Sequence, residues 1–156
     1  MKNTSILFVC LGNICRSPMA EEIMRTLIEK KGLSKNITVD SAGIISMHQG
    51  ELPDYRMRQH ATQRGYNLTH HSRPVNSNDF EKFDIILGMD DYNMEALEQK
   101  APSIEAKKKV KRITDFCTKH TLDHVPDPYY GGADGFNLVI DLLEDACEGL
   151  LTEIIK

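Results

Sequence analysis

Cys10 and Arg16 stand six positions apart in the segment Cys-Leu-Gly-Asn-Ile-Cys-Arg-Ser, which places a thiol and a guanidinium around one short loop. Together they could do nucleophilic chemistry on an anion. A free cysteine is mostly protonated at neutral pH, but N–H donors, a helix N-terminus and a nearby cation favour the thiolate. Arg16 keeps its proton under all ordinary conditions. Its planar fork suits two oxygens of a tetrahedral oxyanion, and the equatorial oxygens of a transition state better than those of the ground state. A lysine would not offer the same geometry. Taken alone, the spacing fits a buried strand-end cysteine and an exposed arginine equally well, so the flanking residues must decide.

The apolar run Ile6, Leu7, Phe8, Val9 reads as a buried strand that delivers Cys10 at its C-terminal end, and Pro18 followed by Glu21 and Glu22 reads as the first turn of a helix. The loop Leu11, Gly12, Asn13, Ile14, Cys15, Arg16, Ser17 therefore feeds a helix N-terminus. Backbone N–H groups without intrahelical partners, at the positive end of the helix dipole, favour a dianion such as phosphate there. Ala20, Ile23, Met24, Leu27 and Ile28 recur at helical spacing until Gly32. The spacing then predicts a strand over 37–41, a helix over about 54–64 stopped by Gly65, and a strand over 83–87. A helix near 92–100, a strand over 110–113 and a long amphipathic helix from Phe136 to Ile154 complete the chain. Cys147 belongs to the apolar stripe of that last helix. Alternation of this kind predicts a parallel sheet with helices on both faces, where ligands collect beyond the carboxyl ends of the strands. Cys10, Ser41 and Asp90 all fall there.

Composition narrows the class. At 156 residues, 40% hydrophobic and 27% charged, the chain is long enough for one domain with a real core. A net charge of −4 argues against nucleic acid as a partner. The basic run from Lys107 to Arg112 reads as a solvated entry to a strand. Cys10 and Cys15 share the loop while Cys117 and Cys147 are isolated, which does not look like a secreted disulfide framework. With no apolar stretch of membrane-spanning length and no signal-peptide pattern, the expected compartment is the reducing cytoplasm, without membrane partners.

The string Val-Cys-Leu-Gly-Asn-Ile-Cys-Arg-Ser-Pro closely resembles the N-terminal loop of the low-molecular-weight protein tyrosine phosphatases. The same family pattern is met downstream in Asp40-Ser41-Ala42-Gly43, in the His70 and Arg73 pair, in Met89-Asp90, and in Asp127-Pro128-Tyr129-Tyr130. The resemblance covers essentially the whole chain, 1–156. It implies a single α/β domain, a three-layer sandwich around a four-stranded parallel sheet of the flavodoxin-like or Rossmann-like kind. It also implies hydrolysis of phosphotyrosine, on a protein or a small aryl phosphate, with inorganic phosphate as product and no cofactor or metal.

In such an enzyme Cys10 is the nucleophile, Arg16 holds the phosphoryl group, and a positioned acid must protonate the departing phenolate. Such an acid contributes about 10²- to 10⁴-fold. Asp127 takes that role by resemblance, although an Asp between two prolines is also a common turn former. The resemblance further implies a network of Asn13, Ser17, Ser41 and His70 that holds the loop in shape. Ser17 is a natural helix N-cap as well, so two roles compete for its hydroxyl. Ile14, Tyr129 and Tyr130 are expected to wall the substrate slot. Where the family usually carries an aromatic residue this chain has Met47, a flexible wall, and Ile44 replaces a frequent threonine.

Related chemistries make different demands. The thioredoxin-coupled arsenate reductases share the loop but need two further cysteines near 77–89, where this chain has none. Protein arginine phosphatases carry threonine at the position of Ile14. A phosphocysteine carrier or a phosphate-sensing module has no need of Arg16 and Asp127 together. His120 and His124 have a spacing that could ligate a metal on a helical face, but no third ligand accompanies them, and His48, His60 and His71 show no ligand pattern. Cys15 is either a small packing residue or the partner of Cys10 in a protective disulfide.

Overall fold

Ile6, Leu7, Phe8 and Val9 are completely buried, which requires cover on both faces of the strand that carries them. The computed structural model describes residues 2–156, apart from the side chains of Tyr130 and Ala133. In it this strand, β1 (Thr4–Cys10), runs parallel to β2 (Ile37–Gly43) on one side and to β3 (Ile85–Gly88) on the other. A short β4 (Val110–Arg112) pairs parallel with β3, giving the order β2-β1-β3-β4. The register sets Cys10 opposite Gly43, so both lie at the carboxyl edge of the sheet.

Alternate residues of β1 feed two separate cores. Ile6, Phe8 and Cys10 join a cluster with α1 (Arg16–Lys30), α2 (Tyr55–Gln63) and α6 (Ala133–Ile154). Leu7 and Val9 join the other, with α3 (Asp79–Lys82), α4 (Asp91–Lys100) and α5 (Ile104–Lys108). The expected three-layer α/β sandwich with a four-stranded parallel sheet is therefore what the chain forms. Among the described residues no helix is long and apolar enough to cross a membrane.

Several boundaries differ from expectation, each for a local reason. Helix α1 begins at Arg16, two residues early: Cys15 is its N-cap and no side chain caps it. Pro18 then sits at the third helical position, where its missing N–H would have had no intrahelical partner anyway. The third strand starts at Ile85 rather than 83, because Phe83 ends the short helix α3 and buries its ring against the sheet. Ile113 is not in β4 but opens a 3-10 turn, Ile113–Phe116. Lys107 and Lys108 form the last turn of α5, where positive charge suits the helix terminus. Cys147 lies fully buried between α6 and α1, its thiol directed at the Ala20 carbonyl.

Candidate active site

The loop between β1 and α1 is held from outside by its carbonyls. Cys10 O accepts from Ile44 N at 3.0 Å, Leu11 O from Ile45 N at 3.0 Å, Gly12 O from the Ser72 hydroxyl at 3.0 Å, and Ile14 O from Asp54 N at 2.8 Å. With the carbonyls drawn outward, the loop's N–H groups are left for its concave side. That is the polarity an anion cradle requires. Close packing is possible because Gly43 has no side chain: a Cβ there would lie 3.0 Å from both Gly12 C and Leu11 O.

Asn13 is the one non-glycine described residue with positive φ, 58°. Its side chain supplies the restraint that holds this unfavourable conformation. Nδ2 donates to Ser17 Oγ at 2.7 Å and to Ser41 Oγ at 3.0 Å, while Oδ1 accepts from His70 Nε2 at 2.9 Å and from Arg73 N at 3.1 Å. Donor direction propagates from there. Because Ser17 Oγ accepts from Asn13, its own hydrogen is left to donate; Cys10 Sγ at 3.0 Å is the nearer acceptor and Ala42 O at 3.4 Å the farther, and Ser17 N also points at that sulfur at 3.4 Å. Ser41 passes its hydrogen to buried Glu21 at 2.6 Å. Since Nε2 donates to Asn13, the other nitrogen of His70 faces Glu21 at 3.3 Å and Asp40 at 3.6 Å. Ser17 is thus inside the helix and does not cap it; of its two competing roles the structure shows the one facing sulfur.

Arg16 is 2% exposed. NH1 donates to Asp90 at 2.6 Å and to Val125 O at 3.0 Å, and NH2 lies 3.5 Å from Asp127. Burial alone would lower its pKa, but the charge on Cys10, the bond to Asp90 and the Asp127 carboxylate together raise it, so the guanidinium stays charged. Burial pushes the Cys15 thiol far up, reinforced by Asp54, Cys10 and Asp127, so Cys15 remains a thiol. Asp127 itself precedes a 3-10 turn over Pro128–Tyr130 and accepts from Tyr129 N at 3.0 Å.

One pocket gathers Cys10, Leu11, Gly12, Ile14, Cys15, Arg16, Asp127 and Tyr129. Met47 also borders it but is 75% exposed, a rim rather than a wall. Asn13, Ser17, Ser41 and His70 lie behind the loop, and the Tyr130 side chain falls outside the described residues. Sequence reasoning gave no role to Ile45 and His48, which also line the pocket, nor to Asp90, Glu21, Ser72 and Gly43 around it. Asp90 carried a signal in its place beyond a strand's carboxyl end, and both it and Gly43 stand in segments that carry the family resemblance. His120 and His124 lie in an irregular segment, not on a helix, and pair with different carboxylates, Asp145 and Asp123.

Comparison with known proteins places this architecture. The family model described as low molecular weight phosphotyrosine protein phosphatase matches residues 5–156. The low molecular weight protein-tyrosine-phosphatase of Bacillus subtilis is 42% identical over 153 residues, 97% of this chain and 96% of that one. A crystal structure of protein tyrosine phosphatase from Entamoeba histolytica with Hepes in the active site superposes with a TM-score of 0.95 at 47% identity, covering 98% and 97% of the two chains. A structure described as the Drosophila arginine phosphatase superposes with a TM-score of 0.91 at 34% identity, covering 100% and 99%. The chain belongs to the low molecular weight phosphotyrosine protein phosphatase family, and is a hydrolase of that kind.

Proposed function

We propose that the enzyme hydrolyses phosphotyrosine and related aryl phosphates through a phosphocysteine on Cys10. The observation that carries this reading is the meeting, in one pocket, of a sulfur, a buried guanidinium and a carboxylate drawn from opposite ends of the chain. The amides of Leu11 to Ser17 receive the phosphoryl oxygens. Arg16, with NH1 committed to Asp90 and Val125, offers Nε and NH2 to two of those oxygens. The Cys10 thiolate attacks phosphorus and the bond to the phenolic oxygen breaks, with Asp127 giving that oxygen its proton. Water then attacks the phosphocysteine. Asp127 takes the water's proton, the phosphorus–sulfur bond breaks, and the returning thiolate is met by the Ser17 hydroxyl. Protein groups alone supply the nucleophile, acid, base and charge stabilisation, so the cycle runs without cofactor or metal. A nucleophilic thiolate of this kind requires a reducing compartment, for which we propose the cytoplasm. The whole chain acts as one domain.

Ile14 and Tyr129 give the slot apolar and aromatic faces suited to a phenyl ring. Phosphoarginine is the second reading, motivated by the likeness to the Drosophila structure; it would place a cation against Ile14. Turnover measured with a chelator present, on phosphotyrosine, phosphoserine and phosphoarginine peptides of one sequence, separates them. Phosphotyrosine is expected to lead by more than about tenfold in kcat/KM, a gap of about 1.4 kcal/mol. Faster turnover of phosphoarginine would replace the reading.

A further inference from the structure

Arg56 lies on α2, which the catalytic scheme does not use, yet its guanidinium reaches both halves of the site. Its fork closes on Asp54, with Nε to Oδ1 at 3.2 Å and NH2 to Oδ2 at 3.1 Å. Asp54 caps α2 and donates its own N–H to Ile14 O of the phosphate loop at 2.8 Å. The second hydrogen of NH2 goes to Tyr129 O at 2.9 Å, and the amide of the same Tyr129 donates to Asp127 Oδ1 at 3.0 Å. The guanidinium plane also rides over two rings, 5.5 Å from the centroid of Tyr129 and 4.9 Å from that of Phe136 on α6.

We infer that Arg56 is a positioning residue for the general acid, a clasp that fixes the Asp127 segment against the phosphate loop through Asp54 on one side and the Tyr129 peptide on the other. The inference rests on Asp127 being the acid. Its physical basis is directional: Asp127 takes its orientation in part from the Tyr129 amide, and Arg56 holds the carbonyl of that residue, stacks on its ring and is itself aimed by Asp54. A planar, five-donor group can make the fork and the carbonyl bond at once. Lysine, with one nitrogen and no plane, must give up one or the other. Misplacing a catalytic group by about an ångström costs up to about 10²-fold, so loosening this clasp slows the step that needs the acid and spares attack by Cys10.

The test is kcat/KM, which reports through formation of phosphocysteine, over aryl phosphates running from p-nitrophenyl to phenyl. For Arg56→Ala a loss of about tenfold is expected with the poor leaving group and less than about twofold with the good one, and no added loss when Arg56→Ala is placed on Asp127→Ala. Arg56→Lys, which keeps the charge, is expected to show the same leaving-group signature at smaller size, and carries the test should the alanine variant fold poorly by near-ultraviolet circular dichroism. Equal losses across the series, or losses that add to those of Asp127→Ala, overturn the assignment of Arg56 alone. If Asp127→Ala itself proves indifferent to the leaving group, the acid is elsewhere and the clasp has nothing to position.

Discussion

At the level of single residues, the sulfur of Cys10 is governed by hydrogens whose direction is fixed some distance away. Asn13 can only donate through Nδ2, so Ser17 must accept there and has its hydroxyl hydrogen left for Cys10. A hydrogen bond to a charged partner is worth roughly 1.5–3 kcal/mol. Its greatest use is when the sulfur leaves phosphorus and recovers its charge. Ser17→Ala is therefore expected to slow the second half-reaction by about ten- to a hundredfold, and a stopped-flow burst of phenol approaching one per enzyme would show the phosphocysteine accumulating. An absence of burst with kcat unchanged would remove Ser17 from that role. Sequence alone left Ser17 divided between capping and catalysis, because which of two nearby amides or sulfurs a hydroxyl faces depends on where the helix starts. That start moved by two residues, to Arg16, once the loop's carbonyls were anchored by Ile44, Ile45, Ser72 and Asp54. Two of these four anchors directly follow β2, one caps α2 and one precedes α3, all far from the loop in sequence.

At the level of elements, the periodic pieces of the chain were legible and the aperiodic ones were not. The β1 run and the stripe of α6 are long enough for burial to impose a period. Helices α3 and α5, of four and five residues, are too short to show one. Phe83 misled for the same reason: an aromatic residue before an apolar run reads as strand, but here it ends a helical turn and fills the core from outside the sheet. Gly43 illustrates a different limit. Its glycine is required neither by a turn nor by positive φ, but by the approach of Gly12 and Leu11 from another element, a close contact that no local pattern announces. Gly43→Ala pushes the loop off β2, and an overpacked contact of this kind costs about 1–3 kcal/mol. A lowered Tm is expected together with a fall in kcat larger than the fall in stability alone would explain. Unchanged kinetics in a destabilised variant would show that the loop tolerates the shift.

Across the whole molecule, α6 closes the fold and ties down the segment that leads to Asp127. Asp145, buried on α6, accepts from the amides of Thr118, Lys119 and His120 and from the His120 ring. Burial would raise its pKa, but these donors lower it well below the usual carboxylate range. A depressed native pKa gives stability that is complete above the unfolded value of about 3.9 and is lost as pH falls toward the native value. Asp145→Asn is accordingly expected to lower Tm at pH 7, by a loss on the order of 2 kcal/mol, with the gap between variant and parent narrowing below about pH 4. A gap independent of pH would mean that the charge is not what holds the segment. The parallel sheet and the convergence of Cys10, Ser41 and Asp90 at one edge of it followed from alternation and chain direction; the strand order β2-β1-β3-β4 did not. The pairing of Arg16 with both Asp90 and Asp127 could not, since it depends on how a long irregular segment returns over the sheet. The most direct measurement is rapid quenching during turnover of an aryl phosphate, followed by mass spectrometry of the peptide that spans the loop. One added phosphoryl group on Cys10 is expected, with neither adduct nor turnover in Cys10→Ser; turnover that persists in that variant, or an adduct on another residue, would rule out a phosphocysteine at Cys10.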